Sequence, residues 1–192
     1  YNKGKFNNHL TYNKMYSQRN VNETAGTFQN YFGFRDAFNF TGTYNFNLDN
    51  RLVYGAEAEF DAARYDSDYS NPASPFNQLY FDRPSNEHIF SQFFDYQFRP
   101  LENLYTTVGL RSDEHSLVGR KTSGRTTLAY KLDQKSKVRS SFGTGIRFPS
   151  LYDYHFADGN TPSSGGGLES GDDYVGLALE DLKAERGIAF DF

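Results

Sequence analysis

From Phe32 onward every second residue reads Phe32, Phe34, Asp36, Phe38, Phe40, Gly42, Tyr44, Phe46. Between them stand Gly33, Arg35, Ala37, Asn39, Thr41, Thr43 and Asn45. One face of this segment is aromatic and the other polar. That is a half-buried strand, and it excludes an amphipathic helix with its period of about 3.6 residues. The same alternation recurs through Leu52–Phe60, Phe90–Phe98, Leu104–Leu110, Thr126–Leu132, Val138–Phe148 and Ile188–Phe192. A weaker first strand runs through Leu10, Tyr12 and Tyr16. The pattern predicts eight antiparallel strands, each near the ~9–11 residues that cross a bilayer at a tilt.

Composition narrows which all-β architecture this is. Apolar residues make up only 37% of the 192, yet 19 Phe and 15 Tyr are among them. Soluble cores are built mainly from Leu, Ile, Val and Ala, whereas a barrel wall needs an aromatic-rich lipid face and a polar lumen face. Connections alternate in length as well. Short ones fall at Asn47–Asn50, Arg99–Glu102 and Asp133–Ser136, with a further brief link at Ser116–Gly119. Long ones are expected at about Ser17–Asn30, Ser67–Ser85 and Pro149–Asp181. Short turns on one side and long loops on the other are the habit of outer-membrane barrels. A soluble sandwich also alternates along its strands, but strand length and the aromatic bias of one face favour the membrane barrel.

Other classes are excluded or disfavoured. A net charge of -4 and a pI near 5.6 argue against nucleic-acid binding. Without cysteine there is neither a disulfide framework nor a thiolate metal site. No apolar stretch reaches the length of a transmembrane helix. No secretory signal opens the sequence at Tyr1, so either one has been removed or the chain starts inside a longer one. Gly165, Gly166 and Gly167 lack the Lys-Ser/Thr ending of a phosphate-cradling loop. Ser150, Asp153 and His155 crowd a single loop, which is not how a catalytic triad converges.

The segment Ser141–Tyr154 reads SFGTGIRFPSLYDY. It resembles the S-x-G-T-G-F-R-A-P-S-L-x-E-L-Y stretch of TonB-dependent receptors, matching at Gly143, Thr144, Gly145, Arg147, Pro149, Ser150 and Leu151. Ile146 replaces the usual Phe, and Phe148 the usual Ala. Upstream, Gly109, Arg111, Asp113, His115, Ser116 and Gly119 are similar to the family's G-x-R-x-D-x-H-S and its following Gly. Downstream, Leu182-Lys183-Ala184-Glu185 resembles its L-K-P-E. Leu104–Phe192 carries the likeness well; the first hundred residues share only the general pattern.

The resemblance implies a segment of a larger plugged barrel in the bacterial outer membrane, with residues 1–192 a partial barrel domain and the plug absent. It implies contact with outer-membrane lipid, coupling to TonB through the missing plug, and uptake of a siderophore, cobalamin or similar nutrient without chemistry on the ligand. No nucleic acid and no enzymatic activity are expected. The alternative is a complete small eight-stranded barrel with a structural or adhesion role, which the ending Ala189-Phe190-Asp191-Phe192 would suit. Arg111, Asp113, His115 and Arg147, with Tyr152 and Tyr154, are the ligand-facing candidates; the charged ones could equally pair with a plug or the wall. Asp61, Asp66 and Asp68 cluster where a strand is expected to enter a long loop, and hard oxygen ligands there could hold Ca²⁺.

Overall fold

In the computed structural model, described over residues 2–22, 27–69, 85–151 and 183–192, the chain is one antiparallel sheet. A two-residue β1 (Asn2–Lys3) precedes β2 (Phe6–Asn22), β3 (Thr27–Asn45), β4 (Asn50–Tyr69) and β5 (Ser85–Leu101). Then follow β6 (Leu104–His115), β7 (Gly119–Lys131), β8 (Lys137–Arg147) and β9 (Glu185–Asp191). Each strand pairs with its neighbours in sequence, so the topology is plain up-and-down. Among the described residues β9 pairs only with β8, and the first and last strands of the sheet are not paired with each other. The eight long strands are the eight expected from the alternation.

Tight turns fix the register at one end. Phe46 and Asn47 donate their N–H groups to the Asn50 carbonyl. In the β7–β8 turn the Asp133 carboxylate accepts N–H bonds from Lys135 (2.7 Å) and Ser136 (2.8 Å), which hold its pKa below the usual carboxylate range. Pro100, having no N–H to give the ladder, sits at a register shift between Phe98 and Leu101. At the other end Gly119 closes the β6–β7 hairpin with φ +74°, a conformation other residues rarely adopt.

Several strands exceed the expected length, with 17, 19 and 20 residues in β2, β3 and β4. The loop expected at about Ser17–Asn30 is instead mostly paired strand, from Ser17↔Gly33 to Asn22↔Phe28. The physical reason is that alternation of apolar and polar residues is needed only where one face meets lipid. Ser17-Gln18-Arg19-Asn20 is polar on both faces, so no alternation marks it as strand. For the same reason Asp61, Asp66 and Asp68 lie within β4 rather than at a strand-to-loop junction.

Even-numbered residues form one face and odd-numbered residues the other, throughout. The buried polar residues Glu87, Ser91, Asp113 and His115 are odd and only Thr106 is even among the described residues, whereas the exposed large apolar residues of the strands are even except Met15, Leu101 and Tyr105. Crowding on the concave side of a curved sheet accounts for this inversion, so the polar face is the inner one. The aromatic face is convex, and it points to whatever surrounds the wall.

Two aromatic belts mark the convex face. Near the tight turns, Phe6–Tyr44, Tyr44–Phe46, Phe46–Tyr96 and Tyr96–Phe98 make ring contacts with centroids 4.5–6.1 Å apart. Toward the other end, Tyr16–Phe34, Phe60–His88 and Phe60–Phe90 form the second belt. Lys14, Asp36, Phe60 and His88 lie on one cross-strand row. Ten residues separate Phe60 from Asn50, which at ~3.4 Å per residue and a ~40° tilt spans about 25 Å, the height of an apolar membrane band.

Candidate functional site on the inner face

The inner face of β3–β7 carries charged side chains that brace one another across strands. On β3 the Arg35 guanidinium grips Asp61 of β4 through two parallel bonds of 2.7 and 2.6 Å, and reaches Glu59 at 3.1 Å. Such a fork fixes geometry as well as charge. Asp61 is thus already committed to an arginine. The side chains of Asp66 and Asp68 lie outside the described residues. Among the described residues no three His, Cys, Asp or Glu converge as metal ligands.

Arg111 on β6 sits at the centre of a second network. Its Nε donates to Asp113 at 2.7 Å, and its Nη2 crosses over β5 to Glu57 of β4 at 2.6 Å. Asp113 also accepts a 2.6 Å bond from Ser91 of β5. The strand passed over presents Phe93, whose ring centroid is 6.0 Å from the Arg111 guanidinium carbon. Phe93 in turn lies against Gly55 of β4, where a Cβ would come within 2.4 Å of the ring. The absence of a side chain at Gly55 therefore leaves room for the Phe93 ring against the inner wall.

A third brace repeats the device one strand further on. Arg125 of β7 forms a fork with Asp95 of β5 at 3.0 and 2.9 Å, and the pair passes over β6 at Gly109. A Cβ at Gly109 would stand 2.1 Å from Asp95 Oδ1. Between the Arg111 and Arg125 braces is an open groove of about 290 Å³ whose walls include Glu57, Phe93, Gly109, Ser123 and Thr144.

His115, at the end of β6, has a different task. Its Nδ1 accepts N–H bonds from Leu117 (3.1 Å) and Val118 (3.4 Å), which shapes the β6–β7 turn. That acceptance assigns the ring proton to Nε2, which faces Glu87 Oε2 at 3.3 Å. The ring stacks on Phe148, centroids 4.7 Å apart, and its side chain is wholly buried. Phe148 occupies the position where the resembled motif usually has Ala, so this chain has an aromatic lid on its histidine.

The structure therefore brings Arg111 and Asp113 together and places His115 above them on the same strand. Arg147 lies apart on β8, paired with Glu185 of β9 at 3.5 Å. Tyr152 and Tyr154, like Asp153, His155 and the glycines 165–167, lie outside the described residues. Sequence reasoning missed Arg35, Glu57, Glu87, Ser91, Asp95 and Arg125 as site residues. The signal for them was present as charge recurring on odd positions, and Glu57 and Glu59 stood out as the polar set opposite Tyr54–Phe60. What the inner face offers chemically is guanidinium planes, carboxylates and one aromatic ring held at fixed spacing beside a groove, which suits recognition of a polar partner.

Comparison with known proteins agrees with this architecture. A search of curated proteins finds no significant match. The crystal structure of the siderophore receptor PirA from Pseudomonas aeruginosa superposes with a TM-score of 0.53 at 17% identity, over 95% of this chain. This chain spans 36% of that receptor's length, and the likeness at that identity is one of fold. The family model described as "TonB dependent receptor-like, beta-barrel" matches residues 1–192. The chain belongs to the TonB-dependent receptor-like β-barrel family, a family of receptors and transporters.

Proposed function

We propose that this chain is part of the wall of an outer-membrane receptor that imports a scarce nutrient, a siderophore or cobalamin, by TonB-dependent transport. The observation that carries the reading is the contrast between faces. The convex face is aromatic and apolar over most of its height, with charged residues such as Lys14, Asp36, Glu114 and Arg120 toward its loop-side end. The concave face bears braced charges around an open groove. Such a wall separates lipid from a polar lumen. That this chain spans 36% of the receptor it superposes on supports a place in a larger barrel over the complete eight-stranded alternative.

In this reading the plug fills the lumen and meets TonB on the periplasmic side, while the ligand arrives from the long-loop side. Arg111, Asp113 and Arg147 then face the lumen in the outer half of the wall, within reach of plug or ligand, while His115 braces the β6–β7 turn beneath Phe148. The mechanism is binding followed by gated passage, with no bond made or broken. Deleting the gene and measuring uptake of ⁵⁵Fe-loaded siderophores and of labelled cobalamin, with and without a protonophore, tests it. Loss of energy-dependent uptake of one ligand, restored by the intact gene, is expected. Unchanged uptake of every ligand in a strain that normally makes the protein would overturn the transport reading.

A further inference from the structure

His115 is buried with its two ring nitrogens turned toward different parts of the wall. Nδ1 accepts the N–H groups of Leu117 and Val118 and so holds the β6–β7 turn. Nε2 stands 3.3 Å from Glu87 Oε2 of β5. Phe148 stacks on the ring and closes it off from water. Two donors pointing at Nδ1 require that nitrogen to be unprotonated, so the closed turn needs a neutral imidazole. A further proton has only Nδ1 to go to. There it would turn an acceptor into a donor facing two donors, and both turn bonds would be lost. The resulting imidazolium would at the same moment gain a full charge beside Glu87.

The surrounding charges are mostly committed to one another. On β4 Asp61 lies opposite Glu87 in the register, with Glu59 two residues before it, and Arg35 of β3 holds both. On β5 the neighbouring His88 points to the opposite face. On β6 Asp113 is engaged with Arg111 and Ser91, and Glu114, on the other face, with Arg120. β7 presents Lys121 opposite Asp113, and Arg147, next to Phe148, pairs with Glu185. Among the described residues Glu87 is the carboxylate within 4 Å of the ring nitrogens.

We propose that His115 is a proton-operated latch: when neutral it holds the β6–β7 turn closed, and when protonated it releases Leu117 and Val118 and pairs with Glu87 instead. The open form binds one proton more than the closed form, so acid favours opening. The change falls in the range of an imidazole, which titrates near pH ~6.5 when unperturbed. Ser116 stays anchored on β5 in either form, its N–H on the His88 carbonyl at 2.9 Å and its hydroxyl accepting the His88 N–H at 3.1 Å. Release is therefore confined to Leu117 and Val118, with Gly119, at φ +74°, as the hinge. In the receptor reading this turn lies on the side that meets the outside medium, so the latch responds to external pH. The latch itself stands whether or not the chain transports anything.

The test is amide hydrogen exchange of the intact protein in detergent, with each rate divided by that of the unstructured peptide at the same pH. Leu117 and Val118 should be protected at about pH 8 and lose up to about tenfold in protection per pH unit below the midpoint, the limit for uptake of one proton. Ser116 should keep its protection throughout. His115→Asn puts a non-titrating amide oxygen where Nδ1 stands, so its turn should stay protected in acid. Glu87→Gln removes the partner of the imidazolium, and its midpoint should move to lower pH. Should His115→Asn fail to fold, ¹⁵N NMR of histidine in the unaltered protein decides, because Nδ1 should take up its proton at the midpoint at which the two amides lose protection. Protection that is flat with pH, an equal pH response in His115→Asn, a midpoint unmoved by Glu87→Gln, or an Nδ1 titration at another midpoint would each overturn the proposal. None of these measurements involves uptake, so the receptor reading stands or falls separately.

Discussion

The two faces of this sheet are made by the same strands, residue by residue, yet they obey opposite rules. On the convex face charge is scarce and aromatic rings meet edge to face, tilted or stacked, each pair contributing about 0.5–1.5 kcal/mol. On the concave face rings are scarce, and stability comes from arginine forks that reach past a neighbouring strand. Arg111 passes over β5 to Glu57, and Arg125 passes over β6 to Asp95. Glycine makes this possible on both sides. On the convex face Tyr54 lies over Gly42 and its hydroxyl reaches Asn8, two strands away, at 3.2 Å. On the concave face Gly55 and Gly109 admit Phe93 and the Asp95–Arg125 pair. A period of two thus specifies which solvent each face meets, while glycines decide which side chains may cross strands.

The most direct way to break this contrast is to place one charge on each face at the same height. Leu110→Arg sets a guanidinium in the middle of the aromatic band, where it should cost about 2–4 kcal/mol. Ser123→Arg sets it beside the groove of the inner face, where water is available and the cost should be below about 1 kcal/mol. Urea unfolding of the intact protein in liposomes measures both. Equal losses would mean that the convex face does not meet lipid, and the assignment of inside and outside would fall.

A subtler test concerns the inner network itself. Arg111→Ala leaves Glu57 and the nearly buried Asp113 facing each other's charge without their shared donor. Stranding such acceptors should cost about 1–3 kcal/mol. Asp113→Asn retains an oxygen for the Ser91 hydroxyl and removes only charge, so its cost should be smaller. Reversal of that order in the same unfolding assay would show that Arg111 is not the hub of the brace. A ligand-binding titration adds a second axis: unchanged affinity in Asp113→Asn would confine that residue to wall support.

How far the sequence discloses all this depends on the face and the height. The convex band is legible because it is apolar at nearly every second residue, and Phe32–Phe46 shows it without ambiguity. Above the band that pattern lapses, so Ser17–Asn22 looks like loop although it is paired strand. The motif residues Arg111, Asp113 and His115 are legible as a group, being two residues apart on one face. Their partners are not. Glu57 and Ser91 lie 54 and 22 residues away from the residues they bond, and only the register of β4, β5 and β6 brings them close. Side-chain periodicity specifies a face and leaves register to turns, and Pro100 adds a shift that alternation alone does not announce.

The smallest predicted effect isolates the role of a missing side chain. Gly109, in the middle of β6, and Gly145, two residues from the end of β8, are both inner-face glycines, and both belong to the resembled motifs. A Cβ on Gly145 meets nothing within 4 Å, whereas one on Gly109 collides with Asp95 Oδ1. Gly145→Ala should therefore be neutral or slightly stabilising, since alanine loses less backbone entropy than glycine on folding. Gly109→Ala should displace the Asp95 carboxylate from its fork with Arg125. That pair is largely open to water on the Arg125 side, so its loss should cost only about 0.5–1 kcal/mol. The diagnostic is a double-mutant cycle: in an Arg125→Met background Gly109→Ala should lose most of its effect. If Gly109→Ala remained as costly there, the close approach would be of backbone to backbone, and the strap across β6 would not be what the glycine is for.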